Sequence, residues 1–186
     1  MFKNSIIGVV LASTVAATAF AHSGATGIVK KRMDAMMAMG TAVKTIAPMM
    51  RSEIEYDASA ILAAAEIFSD HSGQAMTNLF PEGTGGGAST ATSDIWTNAT
   101  EFAALAQQLG DYADGLALAA GNGISASMAG QDTMMGTSSS SDMMGETTMM
   151  GVTEAMMDFT NMPADAAFNL VAQTCASCHA TFRAKD

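Results

Sequence analysis

The sequence predicts an all-α protein built from four helices. Ala, Met and Gly are abundant, whereas aromatic and β-branched residues are sparse, and this composition favours helix over sheet. Four segments carry apolar residues at three- and four-residue spacings, which place side chains on one face of a helix. The chain of 186 residues is long enough for one domain with a shared apolar core.

The four predicted helices have recognisable ends. They cover about residues 28–50, 57–80, 94–120 and 163–185. Pro48 is expected to kink or end the first helix, Pro81 follows the second, Ser93-Asp94 starts the third and Pro163 starts the fourth. The apolar seam of the first helix is Met36, Met39, Val43, Ile46 and Met50.

The first 21 residues have the features of a signal peptide. Lys3 provides the positive start, residues 6–15 are apolar, and Ala19-Phe20-Ala21 is a small-x-small cleavage site. We therefore expect export to the bacterial periplasm and a mature domain of residues 22–186. A formal net charge of −10 argues against nucleic-acid binding, and no other stretch approaches the length of a membrane span.

Residues 121–162 differ from the helical segments in composition. They contain ten of the 18 methionines, mostly as Met-Met doublets among Gly, Ser and Thr. We interpret this segment as a low-complexity insertion that acts as a linker. Capture of Cu(I) by thioether groups is the functional alternative.

The motif Cys175-Ala176-Ser177-Cys178-His179 carries the clearest chemistry. C-x-x-C-H is the attachment signature of a c-type haem, and it predicts thioether bonds from both cysteines with His179 as proximal iron ligand. A disulfide between the cysteines is the alternative, whereas a structural zinc site would need about four ligands. Spacing with Phe168, Val171 and Phe182 places both cysteines on the inner face of the last helix.

Three segments resemble class II c-type cytochromes, the cytochrome c' family. Residues 175–183 resemble its C-x-x-C-H-x-x-[YF]-R ending, and residues 32–40 resemble its R-x-x-x-[LM]-x-x-M-G opening helix. Residues 79–83, followed by Ile95-Trp96, resemble its second loop and third helix. The resemblance covers about residues 28–120 and 163–186, and the insertion lies outside it.

The resemblance implies an antiparallel up-down-up-down four-helix bundle with one covalently attached haem c, a fold of which this family is a known example. Met36 stands where five-coordinate members have an apolar residue, often Leu, and low-spin members have a methionine ligand. The resemblance therefore implies that His179 and Met36 are the two protein ligands of the iron. Arg32 and Arg183 match family arginines near the haem, which can pair with propionates or flank the proximal histidine.

These expectations favour a periplasmic electron-transfer protein over an enzyme. Its iron would cycle between ferric and ferrous, and its partners would be redox proteins. The alternative is a five-coordinate cytochrome c' that binds NO or CO, which needs a vacant sixth position. Dimerisation through the first two helices is common in the family, so a homodimer is possible.

Overall fold

The computed structural model describes residues 24–125 and 157–185. The predicted signal peptide and most of the Met-rich insertion lie outside the described residues. The helices are α1 (Gly27–Met50), α2 (Ala58–Asp70), α3 (Gly73–Thr77), α4 (Asp94–Thr97), α5 (Ala99–Ala119) and α6 (Ala164–Phe182), with a 3-10 turn at Ala120–Asn122.

The long helices α1, α2, α5 and α6 form the bundle, and the predicted all-α four-helix fold is confirmed. Helix α5 packs against α2 and α6, while α1 packs against α2. Within the described ranges there is no β-strand, only an isolated bridge between Ala91 and Arg183. In the same part of the chain no helix is long and apolar enough to cross a membrane.

Two of the predicted helices are broken. The second stops at Asp70 because Ser72 is extended and Gly73 has a φ of +51°, and the chain then makes the short helix α3. The third is interrupted at Asn98, whose φ and ψ of −114° and 41° separate α4 from α5. His71 falls at the end of α2 and is half-buried.

The buried face of α1 is rotated about the helix axis relative to the apolar seam that the sequence predicts. Its buried positions are Arg32, Ala35, Met39, Ala42, Ile46 and Met49. Met36, Val43 and Met50 of the predicted seam are only half-buried. Pro48 lies inside the last turn, and α1 ends two residues later. The face that carries Met36 and Val43 is thus left beside the core, where it lines a cavity.

The described residues at the two ends of the insertion are held together at one end of the bundle. The backbone N–H and hydroxyl of Ser125 both donate to Asp165 Oδ1, at 2.9 and 3.1 Å. Asn122 Nδ2 donates to the carbonyl oxygens of Thr160 and Met162, each at 2.8 Å. Residues 122–125 and 160–165 therefore lie close together.

Candidate functional site

A cavity of about 320 Å³ lies between α1, α3, α5 and α6. This volume is in the usual range for a bound organic ligand. Almost all of its lining surface is apolar. The lining residues are Met36, Met39, Gly40, Val43, Lys44, Met76, Leu105, Ala106, Leu109, Thr174, Cys175, Cys178 and His179.

Helix α6 brings the C-x-x-C-H motif to this cavity. Cys175 lies three residues before Cys178 and four before His179, and these spacings put all three side chains on one helix face. Both thiols are free and half-buried. Burial raises the pKa of Cys175, and burial together with the neighbouring Cys175 raises the pKa of Cys178 to about 11. An apolar site of this kind suits neutral thioethers better than thiolates.

His179 is suited to bind a metal as a neutral imidazole. Partial burial lowers its pKa, and the positive charge of Arg183 lowers it further. A lowered pKa favours the neutral imidazole, which is the form that ligates metals. Arg183 directly follows the end of α6, four residues after His179.

Helix α1 faces the motif across the cavity with the predicted distal residue. Met36, Gly40 and Lys44 follow one another at four-residue spacing, so they form one row along the helix. Met36 is half-buried, whereas Met39 in the adjacent row and Met76 on α3 are buried. The cavity therefore contains three thioether groups, and only Met36 stands at the position that the family resemblance assigns to the ligand.

Arg32 lies one turn before Met36 and is not among the cavity-lining residues. It is buried, and its Nη2 donates to the side chain and carbonyl oxygens of Thr84, at 2.6 and 3.2 Å. Nη1 donates to Ser89 Oγ at 3.3 Å, and the guanidinium lies 4.3 Å above the Phe80 ring. Burial lowers the pKa of Arg32. Among the described residues no acceptor meets its buried Nε.

Four further lining residues carry no distinctive sequence signal: Lys44, Met76, Ala106 and Thr174. Thr174 Oγ1 donates to the carbonyl of Leu170 at 3.0 Å, so its polar group is satisfied on its own helix. Met76 lies on α3, the short helix that follows the break at Ser72–Gly73. Lys44 is exposed and brings a positive charge to the cavity.

The residues present fit a covalent haem. The cavity offers two thiols and one imidazole on a single helix face, a thioether on the facing helix, and apolar walls for a porphyrin. Arg32 lies on α1 but does not line the cavity, and its buried Nε has no acceptor among the described residues, so an anionic group beside it would supply one.

A family model described as cytochrome C' matches residues 27–141, more than half of the chain. The chain belongs to the cytochrome c' family. Its cofactor is accordingly a covalently bound haem c, and Cys175 and Cys178 are the only two cysteines in the sequence.

Named relatives of this cytochrome c' chain include two proteins called cytochrome c-556. The protein from Agrobacterium fabrum is 34% identical over 90 residues, which are 48% of this chain and 60% of the relative. The protein from Agrobacterium tumefaciens is 34% identical over 88 residues, which are 47% of this chain and 70% of the relative. The chain thus aligns with somewhat more than half the length of the first relative.

Solved structures of cytochrome c' share the fold. The protein from Rhodopseudomonas palustris is 23% identical with a TM-score of 0.59, covering 87% of this chain and 99% of its own. The protein from Alcaligenes xylosoxidans is 25% identical with a TM-score of 0.56, covering 85% and 94%. Variants of the latter were solved with carbon monoxide and with nitric oxide bound.

Proposed function

We propose that this member of the cytochrome c' family is a low-spin electron-transfer protein and not an enzyme. The observation that carries the proposal is that Met36 on α1 and the C-x-x-C-H motif on α6 line one apolar cavity. When bound, the haem supplies an iron that exchanges one electron between its ferric and ferrous states.

The chain's own residues have separate tasks in this proposal. Cys175 and Cys178 hold the cofactor by thioether bonds, and His179 provides the proximal nitrogen. Met36 provides the distal sulfur, a soft ligand that favours the ferrous state. The apolar walls exclude water and so disfavour net charge at the iron, which also raises the potential.

Two arginines complete the proposed site. Burial lowers the pKa of His179, and the charge of Arg183 lowers it further, so both favour the neutral imidazole. Arg32 is buried with an orphaned Nε, which makes it a suitable partner for a haem propionate. Arg32 also ties α1 to Thr84 and Ser89, so the same side chain fixes the loop that follows α3.

Export to the periplasm completes the proposal. The predicted signal peptide and a haem attached through a C-x-x-C-H motif both fit that compartment. Redox proteins are the proposed partners, and Lys44 at the cavity is a cation that could steer an acidic one. A homodimer is compatible with the exposed Met37 on α1 and Leu62 on α2, which are 60% and 49% exposed.

Gas binding is the second candidate function. Its support is the Alcaligenes xylosoxidans protein, variants of which were solved with carbon monoxide and nitric oxide. The cavity here would serve that function if Met36 covered the iron without binding it. The two candidates differ in a single bond, between Met36 sulfur and the iron.

The absorption spectrum of the purified ferric protein separates the two candidates. Methionine sulfur on ferric haem gives a weak band in the far red, which we expect in the wild type. Met36→Leu should abolish the band and give a high-spin spectrum. Met39→Leu is the matched control, because Met39 lines the same cavity from the neighbouring row, and it should keep the band. A high-spin wild type that Met36→Leu leaves unchanged would reject electron transfer through a His/Met haem.

A further inference from the structure

Gly40 occupies the interior of α1, where glycine is unfavourable. It lies thirteen residues after the start of the helix at Gly27 and ten before its end at Met50. A glycine in the middle of a helix lowers the ratio of folded to unfolded protein about fivefold relative to alanine. Its presence here therefore calls for a physical reason.

The folded chain itself gives no such reason. Gly40 is not among the glycines with positive φ, so its backbone is one that alanine adopts readily. A Cβ built on Gly40 meets no atom within 4 Å. By contrast, a Cβ on Gly110 or Gly115 of α5 would come within 2.8 Å of Ser72 or 2.6 Å of Phe159. Those two glycines are explained by close packing, and Gly40 is not.

The open space beside Gly40 belongs to the cavity. Gly40 is one of its lining residues, between Met36 one turn before and Lys44 one turn after. Those two side chains are about 12 Å apart along the helix axis. The glycine leaves a gap between them in which the backbone of α1 itself forms the wall.

We infer that Gly40 is a positioning residue of the haem cavity: because it has no side chain, the cofactor has room to lie against the backbone of α1. This inference rests on the proposed function. A side chain at position 40 would compete with the cofactor for the space, and it would push α1 outward. Met36 lies on the preceding turn of the same helix, so Gly40 also sets how closely the Met36 sulfur approaches the iron.

The test uses the full-length, haem-loaded protein and the variants Gly40→Ala and Gly40→Leu. Two quantities are measured, namely the urea unfolding equilibrium and the far-red band of the ferric protein. We expect Gly40→Ala to lack the fivefold gain in stability that helix propensity alone would give, and to show a weaker or shifted band. Gly40→Leu should show a larger change in the band. If the Gly40→Leu protein does not fold in sufficient amount to be purified, the result for Gly40→Ala alone tests the inference.

Ala103→Gly is the matched control, because Ala103 is exposed in the interior of α5 and does not line the cavity. It should lower the folded-to-unfolded ratio about fivefold and leave the spectrum unchanged. A fivefold gain in Gly40→Ala, or a band that neither Gly40 variant changes, overturns the inference. If the wild type itself lacks the band, the proposal that Met36 binds the iron fails. The inference about Gly40 is then tested by the urea unfolding equilibrium and by the haem content per chain of the Gly40 variants.

Discussion

Phe102 joins three parts of the molecule that position the haem-binding helix. Its ring centroid lies 5.0 Å from that of Phe80 and 5.4 Å from that of Phe182, both in edge-to-face geometry. The Arg32 guanidinium lies over the Phe80 ring. Phe182 is the last residue of α6, three residues after His179. Phe102→Ala should therefore loosen both the loop after α3 and the end of α6.

The expected loss follows from burial and ring geometry. Phe102 is 5% exposed, and truncating a buried phenylalanine to alanine costs about 3–5 kcal/mol. Two edge-to-face pairs place this site at the upper end of that range, about 4–5 kcal/mol. With a urea m-value of about 2 kcal/mol per molar, the midpoint of unfolding falls by about 2 M. Far-UV circular dichroism of the haem-loaded protein measures that midpoint.

Two companion variants make the Phe102 result decisive. Phe102→Leu keeps most of the volume but loses both ring pairs, so it should cost about 1–2 kcal/mol. Leu118→Ala, at a position that is 62% exposed, should change stability by less than about 0.5 kcal/mol. If the stability of Phe102→Ala stays within about 1 kcal/mol of the wild type, or matches that of Leu118→Ala, the ring contacts of Phe102 with Phe80 and Phe182 do not stabilise α6.

Three further substitutions test separate contacts. Tyr56→Phe removes a 2.6 Å hydrogen bond that Tyr56 donates to the carbonyl of buried Ala120, and should cost about 1–2 kcal/mol by urea unfolding. Burial, then the Asp165 charge, raises the pKa of Tyr56, so this contribution is present below about pH 10 and is lost as pH rises above it. Gly115→Ala places a Cβ 2.6 Å from the Phe159 ring, and overpacking should outweigh the helix gain by about 1 kcal/mol. Arg32→Met loses the bonds to Thr84 and Ser89 and the contact with Phe80, and should cost about 1–3 kcal/mol in thermal unfolding, since desolvation of the guanidinium offsets part of them.

Each of these expectations has its own contrary result. A Tyr56→Phe protein whose stability differs from the wild type by the same amount at pH 8 and pH 11 would contradict the pH assignment. The Gly115→Ala loss should be relieved by adding Phe159→Leu, and additive effects would show that the two sites do not touch. An Arg32→Met protein that is more stable than the wild type would mean that burying the guanidinium costs more than its contacts return.

The helices could be predicted from the sequence because their signals are local. Apolar spacing and the prolines place α1 and α6 within a few residues of their observed ends. The break between α2 and α3 was missed, although His71-Ser72-Gly73 carries a weak signal in the serine and glycine. The apolar periodicity continues across it, and only the positive φ of Gly73 reveals the change of direction.

The site could be predicted only in part, because motifs identify ligands and periodicity does not identify cavities. The C-x-x-C-H motif and Met36 were found from sequence and lie around one cavity. Leu105 and Leu109 looked like ordinary core residues, since a side chain that lines a cavity and one that fills a core have the same spacing. Arg32 could not be recognised as buried, because nothing near it in sequence offers the Thr84 and Ser89 oxygens that hold it.

The rate at which carbon monoxide binds to the ferrous protein tests the Met36–iron bond most directly. A bound thioether must leave the iron before the gas can enter, so we predict slow binding in the wild type that does not increase in proportion to gas concentration. Met36→Leu should bind carbon monoxide at least tenfold faster, which corresponds to a barrier lowered by about 1.4 kcal/mol or more. Equal rates in the two proteins, both proportional to gas concentration, would show that Met36 is not a ligand and that this cytochrome c' has an open site.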